Sequence, residues 1–188
     1  MRFLIRLFAV LLSALAMTCA HAHPPDALAL GAGLAHPLTG TDHLLVVTGL
    51  GLWAAISRPQ RYWSIASALF FGVAAGYGLA VMAPAGAGLH VALPASVAIV
   101  GLVVAAALRF PEWIAWLLAA GAGALQAVVH AAPTGLAGQI DFEIGLLLST
   151  LVLYAGGLGV GRWLHPGGVR LLGILIATAG TGLAWALH

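Results

Sequence analysis

The chain has 188 residues, 62% of them apolar and only 6% charged, with a mean hydropathy of +1.08. Soluble chains run at about 45–50% apolar and about 25% charged, so this composition excludes a soluble enzyme, a nucleic-acid binder and a disordered tail. All seven basic residues are arginine, which excludes a P-loop lysine and ATP hydrolysis by that route; the sequence describes an integral membrane protein.

Residues 1–22 read as a cleaved signal peptide, with Arg2 and Arg6 as the basic region, Leu7 to Met17 as the apolar core and Thr18 to Ala22 as the small-residue exit. Ala20-His21-Ala22 fits the cleavage pattern and makes His23 the expected N-terminus; Thr18-Cys19-Ala20 is a second site. Met17 and Thr18 are poor residues before a lipidated cysteine, so Cys19 is not read as a lipoprotein anchor. The single cysteine leaves with the leader, and the mature chain then has neither disulfides nor thiolate ligands. Two arginines leave as well, so five remain against five acids. The basic pI therefore overstates the mature charge and implies neither a nucleic-acid nor a lipid-surface partner.

Beyond the leader a single transmembrane domain, 23–188, is expected, with spans at about 28–57 (interrupted), 62–83, 89–108, 112–131, 142–161 and 169–187. Each is near the roughly 20 residues that cross hydrocarbon. Arg58 and Arg61 follow the first span, Arg109 the third, and Arg162 and Arg170 flank the break between the last two. All five sit on one side, which the positive-inside rule makes cytoplasmic. The predicted fold is an all-α bundle of six transmembrane helices in the bacterial inner membrane, with both termini periplasmic. The sequence leaves open whether it forms a homo-oligomer.

Within the first span the run Ala35-His36-Pro37-Leu38-Thr39-Gly40-Thr41-Asp42-His43 interrupts two apolar stretches. In a straight helix His36 and His43 would lie about 10.5 Å apart along the axis, too far to share an ion whose bonds to nitrogen are about 2.0–2.1 Å. Pro37 and Gly40 both disfavour continued helix, and a break there folds His36 back toward Asp42 and His43. Interrupted helices are where transporters hold ions. The plainer alternative makes Asp42 the N-cap of a helix over 43–57 and His36 a wet interfacial histidine.

His23, whose amine and ring could capture a metal at the new N-terminus, and His90 and His130, each equally readable as a boundary histidine, are further candidate ligands on the same outer side. Asp141 and Glu143 read as helix-start acids favoured by the dipole. Gly72-x-x-x-Gly76 and Gly157-x-x-x-Gly161 allow close helix approach. Trp53, Trp63, Trp113, Trp116, Trp163 and Trp185 read as interfacial anchors.

Imidazole with carboxylate suits Ni, Co, Zn or Cu(II), and a mature chain with only Met82 as a sulfur ligand disfavours Cu(I). The metal would be cargo, with no resident cofactor. Two alternatives stand beside a permease. One is a haem electron-transfer subunit pairing His36 or His90 with His130; the other is a non-transporting accessory membrane protein. A hydrolase is disfavoured, since no Gly-x-Ser-x-Gly occurs.

The run Gly33-Leu34-Ala35-His36-Pro37-Leu38-Thr39-Gly40-Thr41-Asp42-His43-Leu44-Leu45, continuing to Gly51-Leu52-Trp53-Ala54-Ala55, resembles the signature of the HupE/UreJ family. The resemblance implies a nickel or cobalt permease linked to hydrogenase or urease maturation, with His36, Asp42 and His43 matching the family's functional His-x5-Asp-His. It also marks departures. Val47 stands where the family carries methionine, His90 where it carries a glutamate before Ser96, and Gln126 in place of the first of two histidines, the second being His130. Pro133 falls at a glutamate and Tyr154 at a histidine.

Overall fold

The computed structural model describes residues 25–82, 89, 91–130 and 136–186, with the side chains of 25–28, 81, 130 and 136–139 outside that description. The leader over 1–22, His23 and His90 lie outside the described residues, as does the side chain of His130. Seven helices are described: α1 (Pro25–Thr39), α2 (Thr41–Ser57), α3 (Tyr62–Met82), α4 (Ala92–Ala105), α5 (Glu112–His130), α6 (Leu136–Trp163) and α7 (Pro166–Trp185). Four of them, α3, α5, α6 and α7, are long and apolar enough to cross a membrane, while α2 and α4 are shorter apolar helices. The chain is a helical membrane protein.

Small residues set how the helices pair. A Cβ on Gly72 or Gly76 would run into the backbone of Ala120 or Ala124, so α3 and α5 touch backbone to backbone. The two contacts advance together along both chains, which makes these helices parallel. Gly101 meets Ala177 while Gly180 meets Ala98, so α4 and α7 run antiparallel. Along α6, Gly145 abuts Leu30 and Leu34 of α1, Gly157 abuts Thr48 of α2 and Gly161 abuts Leu52. The broken pair α1–α2 thus forms one column parallel to α6. Alternating passage through a bilayer requires these relative directions of columns one and five, two and four, and three and six. Close approach of this kind replaces the hydrophobic drive that lipid removes.

Two helix ends and one tryptophan differ from the sequence expectation. α6 begins at Leu136, so Asp141 and Glu143 lie beyond its first turn and are not helix-start acids. α4 is shorter than the expected 89–108, because Ala107 adopts φ 51° and ends it. There Leu108 N–H donates to Val103 O at 3.1 Å and Ala107 N–H to Val104 O at 3.0 Å. That is a Schellman closure, with alanine in the left-handed position that glycine usually fills. Trp53 is not an interfacial anchor: it is 0% exposed, and its indole N–H donates to Leu108 O at 2.8 Å. Trp63, Trp113, Trp163 and Trp185 are exposed as belt residues should be.

The arginines gather at one end. Arg58 pairs with Glu112 at 2.6 Å and also donates to Phe110 O, Arg61 lies 3.6 Å from the same carboxylate, and Ser64 donates to it. Arg162 donates to Pro59 O at 3.2 Å and stacks 4.3 Å over the Tyr62 ring. Arg170 donates to Ala105 O at 2.8 Å. The histidine-bearing break in the first column stands toward the opposite end.

Candidate metal site

The break falls on one residue. Helix α1 runs through Pro37 to Thr39, so the proline does not end it as the sequence suggests. Its missing N–H instead leaves Gly33 O without a helical partner. Ser149 Oγ of α6 lies 3.5 Å from that carbonyl while bonding chiefly to Gly145 O at 3.0 Å. Gly40 then turns to φ −78°, ψ 107° for one residue before α2 begins. Gly40 N–H still donates to His36 O at 2.9 Å, and Gly40 O accepts from Leu44 N–H at 3.0 Å. The i→i−4 ladder of α2 thus opens at the Leu44 amide, as at the start of any helix. Thr39 Oγ ties down the preceding turn through Ala35 O at 3.1 Å.

This bend brings the two imidazoles together. The rings of His36 and His43 have centres 5.0 Å apart and planes at 75°. With metal–nitrogen bonds of about 2.1 Å and about 1.1 Å from nitrogen to ring centre, two cis imidazoles on one ion have centres about 4.5–5.2 Å apart. The pair therefore has the spacing of cis ligands. Asp42 Oδ2 lies 3.8 Å from His43 Nδ1, and His36 Nε2, Asp42 Oδ2 and His43 Nδ1 are all shielded from solvent. His43 is 2% exposed. Among the described residues no group of three or more His, Cys, Asp or Glu side chains closes around a point as a finished metal cage. What the bend supplies is two imidazoles with a carboxylate beside them.

Asp42 does not cap α2. The N-cap is Gly40, with no side-chain capping bond, and Asp42 sits in the first turn, where the helix dipole favours its negative charge. Gly40 is also the floor of the cluster, since a Cβ there would fall 3.2 Å from His36 O, 3.3 Å from Asp42 Oδ1 and 3.6 Å from His43 Nδ1.

The sequence gives no sign of two aromatic neighbours. Phe142 of α6 packs 5.7 Å from the His36 ring, and Tyr77 of α3 stacks on Phe142 at 6.4 Å. Phe142 is carried there by the backbone contact between its carbonyl and Gly33, which no local pattern announces. The Tyr77 hydroxyl is buried without a hydrogen-bond partner among the described residues.

A family model described as HupE / UreJ protein matches residues 9–183. The chain belongs to the HupE/UreJ family. Protein HupE from Rhizobium leguminosarum bv. viciae is 31% identical over 180 residues, covering 92% of this chain and 94% of its own. No solved structure matches. The positions expected to depart from the family pattern divide by location, Pro133 lying outside the described residues. Val47 is packed in the core and Gln126 is buried on α5. Tyr154 donates its hydroxyl to Tyr62 O at 2.6 Å, at the arginine end, so it clamps α6 to α3 far from the histidines. Ser96 bonds within its own helix to Leu93 O at 2.7 Å. Among the expected ligands, the structure brings the His36 and His43 ring centres to 5.0 Å and leaves Asp42 Oδ2 3.8 Å from His43 Nδ1, without closing a three-ligand group among the described residues.

Proposed function

We propose that this HupE/UreJ member is a six-pass permease that carries Ni²⁺, or less favourably Co²⁺, from periplasm to cytoplasm for metalloenzyme maturation such as that of urease or hydrogenase. The observation that carries this reading is the 5.0 Å spacing of the His36 and His43 rings across the Gly40 bend. Neutral imidazoles supply nitrogen donors of the kind these ions prefer, and Asp42 offsets part of the positive charge in a site sheltered from water. Because protein donors do not close a cage, the ion keeps water or passing ligands in its remaining positions and can leave. His23, His90 and His130 are assigned to capture ahead of this point. The relative directions of the paired columns support six alternating passes, and arginine at one end supports a cytoplasmic placement of that end. No ATPase motif occurs, and an inside-negative potential favours entry of a dication by about 4.6 kcal/mol per 100 mV.

A haem reading needs histidines facing each other across a porphyrin. That reading would pair His36 or His90 with His130; what favours the permease is that the His36 ring has the His43 ring against it at 5.0 Å with the Asp42 carboxylate beside it, which a haem axial ligand does not call for.

The test is radioactive nickel uptake normalised to membrane abundance. Asp42→Asn preserves polarity and shape, and His36→Gln and His43→Gln remove nitrogen ligands. Each is expected to lower uptake at least about tenfold, the scale of ligand-shell losses, at normal abundance. Normal uptake by Asp42→Asn together with His36→Gln would overturn the metal-site reading.

A further inference from the structure

The arginine end contains a cleft of about 490 Å³ lined by Arg109, Arg162 and Arg170 together with apolar Ile56, Leu164 and Pro166. We propose that this cleft is a binding site for the phosphate headgroup of an anionic phospholipid. Three guanidiniums around one concavity are poorly suited to a cation, so the cleft does not extend the metal path. They suit phosphate, which arginine holds through paired N–H donors. Among the described residues no carboxylate lines this cleft. Glu112 is the acid that the sequence places at this end, and Arg58 and Arg61 already hold it. Net charge conceals this, because the imbalance is local. The start of α7 adds only its dipole: Pro166, which lines the cleft, has no N–H, and the Gly167 and Gly168 amides donate to His165.

Depth favours a lipid over a free anion. Trp63, Trp113 and Trp163 are 63%, 65% and 55% exposed and stand within three residues of Arg61, Glu112 and Arg162. Exposed indoles mark the headgroup layer, so the cleft opens where phospholipid phosphates lie. Its apolar wall of Ile56 and Leu164 suits the glycerol and upper acyl carbons of such a molecule.

The test uses the full chain in nanodiscs, with native mass spectrometry reading retained lipid when phosphatidylglycerol is titrated against phosphatidylcholine. Preferential retention of phosphatidylglycerol is expected. Arg109→Gln should weaken it about fivefold, and Arg109→Gln with Arg170→Gln about 25-fold, at the usual increment per basic residue near a lipid surface. Arg109 is exposed and makes no ion pair among the described residues, so its loss leaves the fold intact. Arg61→Gln, at the same end but outside the cleft, should leave retention unchanged. Equal retention of the two lipids, or equal losses from Arg61→Gln and Arg109→Gln, would overturn the proposal. Inorganic phosphate that protects against thermal unfolding as well as phosphatidylglycerol does would overturn the lipid assignment in favour of a free anion.

Discussion

Substituting Gly40 by alanine tests whether the bend is built around a site or merely around a turn. At φ −78°, ψ 107° alanine meets no conformational penalty, and the loss of glycine as N-cap costs about 1 kcal/mol or less. The new methyl, however, would lie 3.2 Å from His36 O, 3.3 Å from Asp42 Oδ1 and 3.6 Å from His43 Nδ1. The Asp42 carboxylate and the His36 carbonyl must give by a few tenths of an ångström, while the His43 ring is left in ordinary contact; metal–ligand distances hold to within about 0.2 Å. Gly40→Ala is thus expected to leave abundance near normal while nickel affinity in uptake falls about 10- to 100-fold. Uptake measured over a range of nickel concentrations, with abundance quantified in the same membranes, separates the two effects. Gly33→Ala, on the same column, provides the contrast: its methyl would strike the backbone of Phe142, and abundance should fall with uptake. Wild-type concentration dependence in Gly40→Ala would refute the assignment of the ion to this cluster.

Three further outcomes concern the bundle. Gly72→Ala should lower thermal stability in detergent by about 1–3 kcal/mol or more, because its Cβ would lie 2.7 Å from Ala120 Cα, while Gly78→Ala on the same helix has open space around it and should gain up to about 1 kcal/mol. Ala107→Gly relieves the left-handed alanine at φ 51° and should raise stability by up to about 1 kcal/mol in the same unfolding assay.

Much of this architecture is legible in the sequence because lipid imposes it. Apolar runs of fixed length locate the helices, arginine placement separates the ends, and Gly72 and Gly76 advertise a close contact that the structure makes. The first-span cluster is legible too, since a proline and a glycine inside an apolar run disfavour a straight path. Which of the two breaks the helix is not. Pro37 lies in the last turn, where a lost amide affects a single carbonyl, so the helix continues to Thr39. Trp53 and Trp63 look alike in sequence, and only the path of the Leu108 backbone decides that the first is buried. Asp141 and Glu143 mimic helix-start acids because Leu136 to Gln139 carry no sharp start signal. Phe142 and Tyr77 reach the site through contacts between distant helices, which no local spacing encodes.

The 28-residue helix α6 is unbroken beside a column that is broken. It grips that column above the bend, where Gly145 meets Leu30 and Leu34, and again below it, where Gly157 meets Thr48. A continuous splint fastened on both sides of a fracture fixes the angle of the fracture. The two halves of the first column therefore do not swing against each other unless α6 bends or moves with them. In the proposed permease, release of the ion would then come from rotation of the two imidazoles or from a displacement of the whole three-helix unit against the rest of the bundle, not from flexing at Gly40.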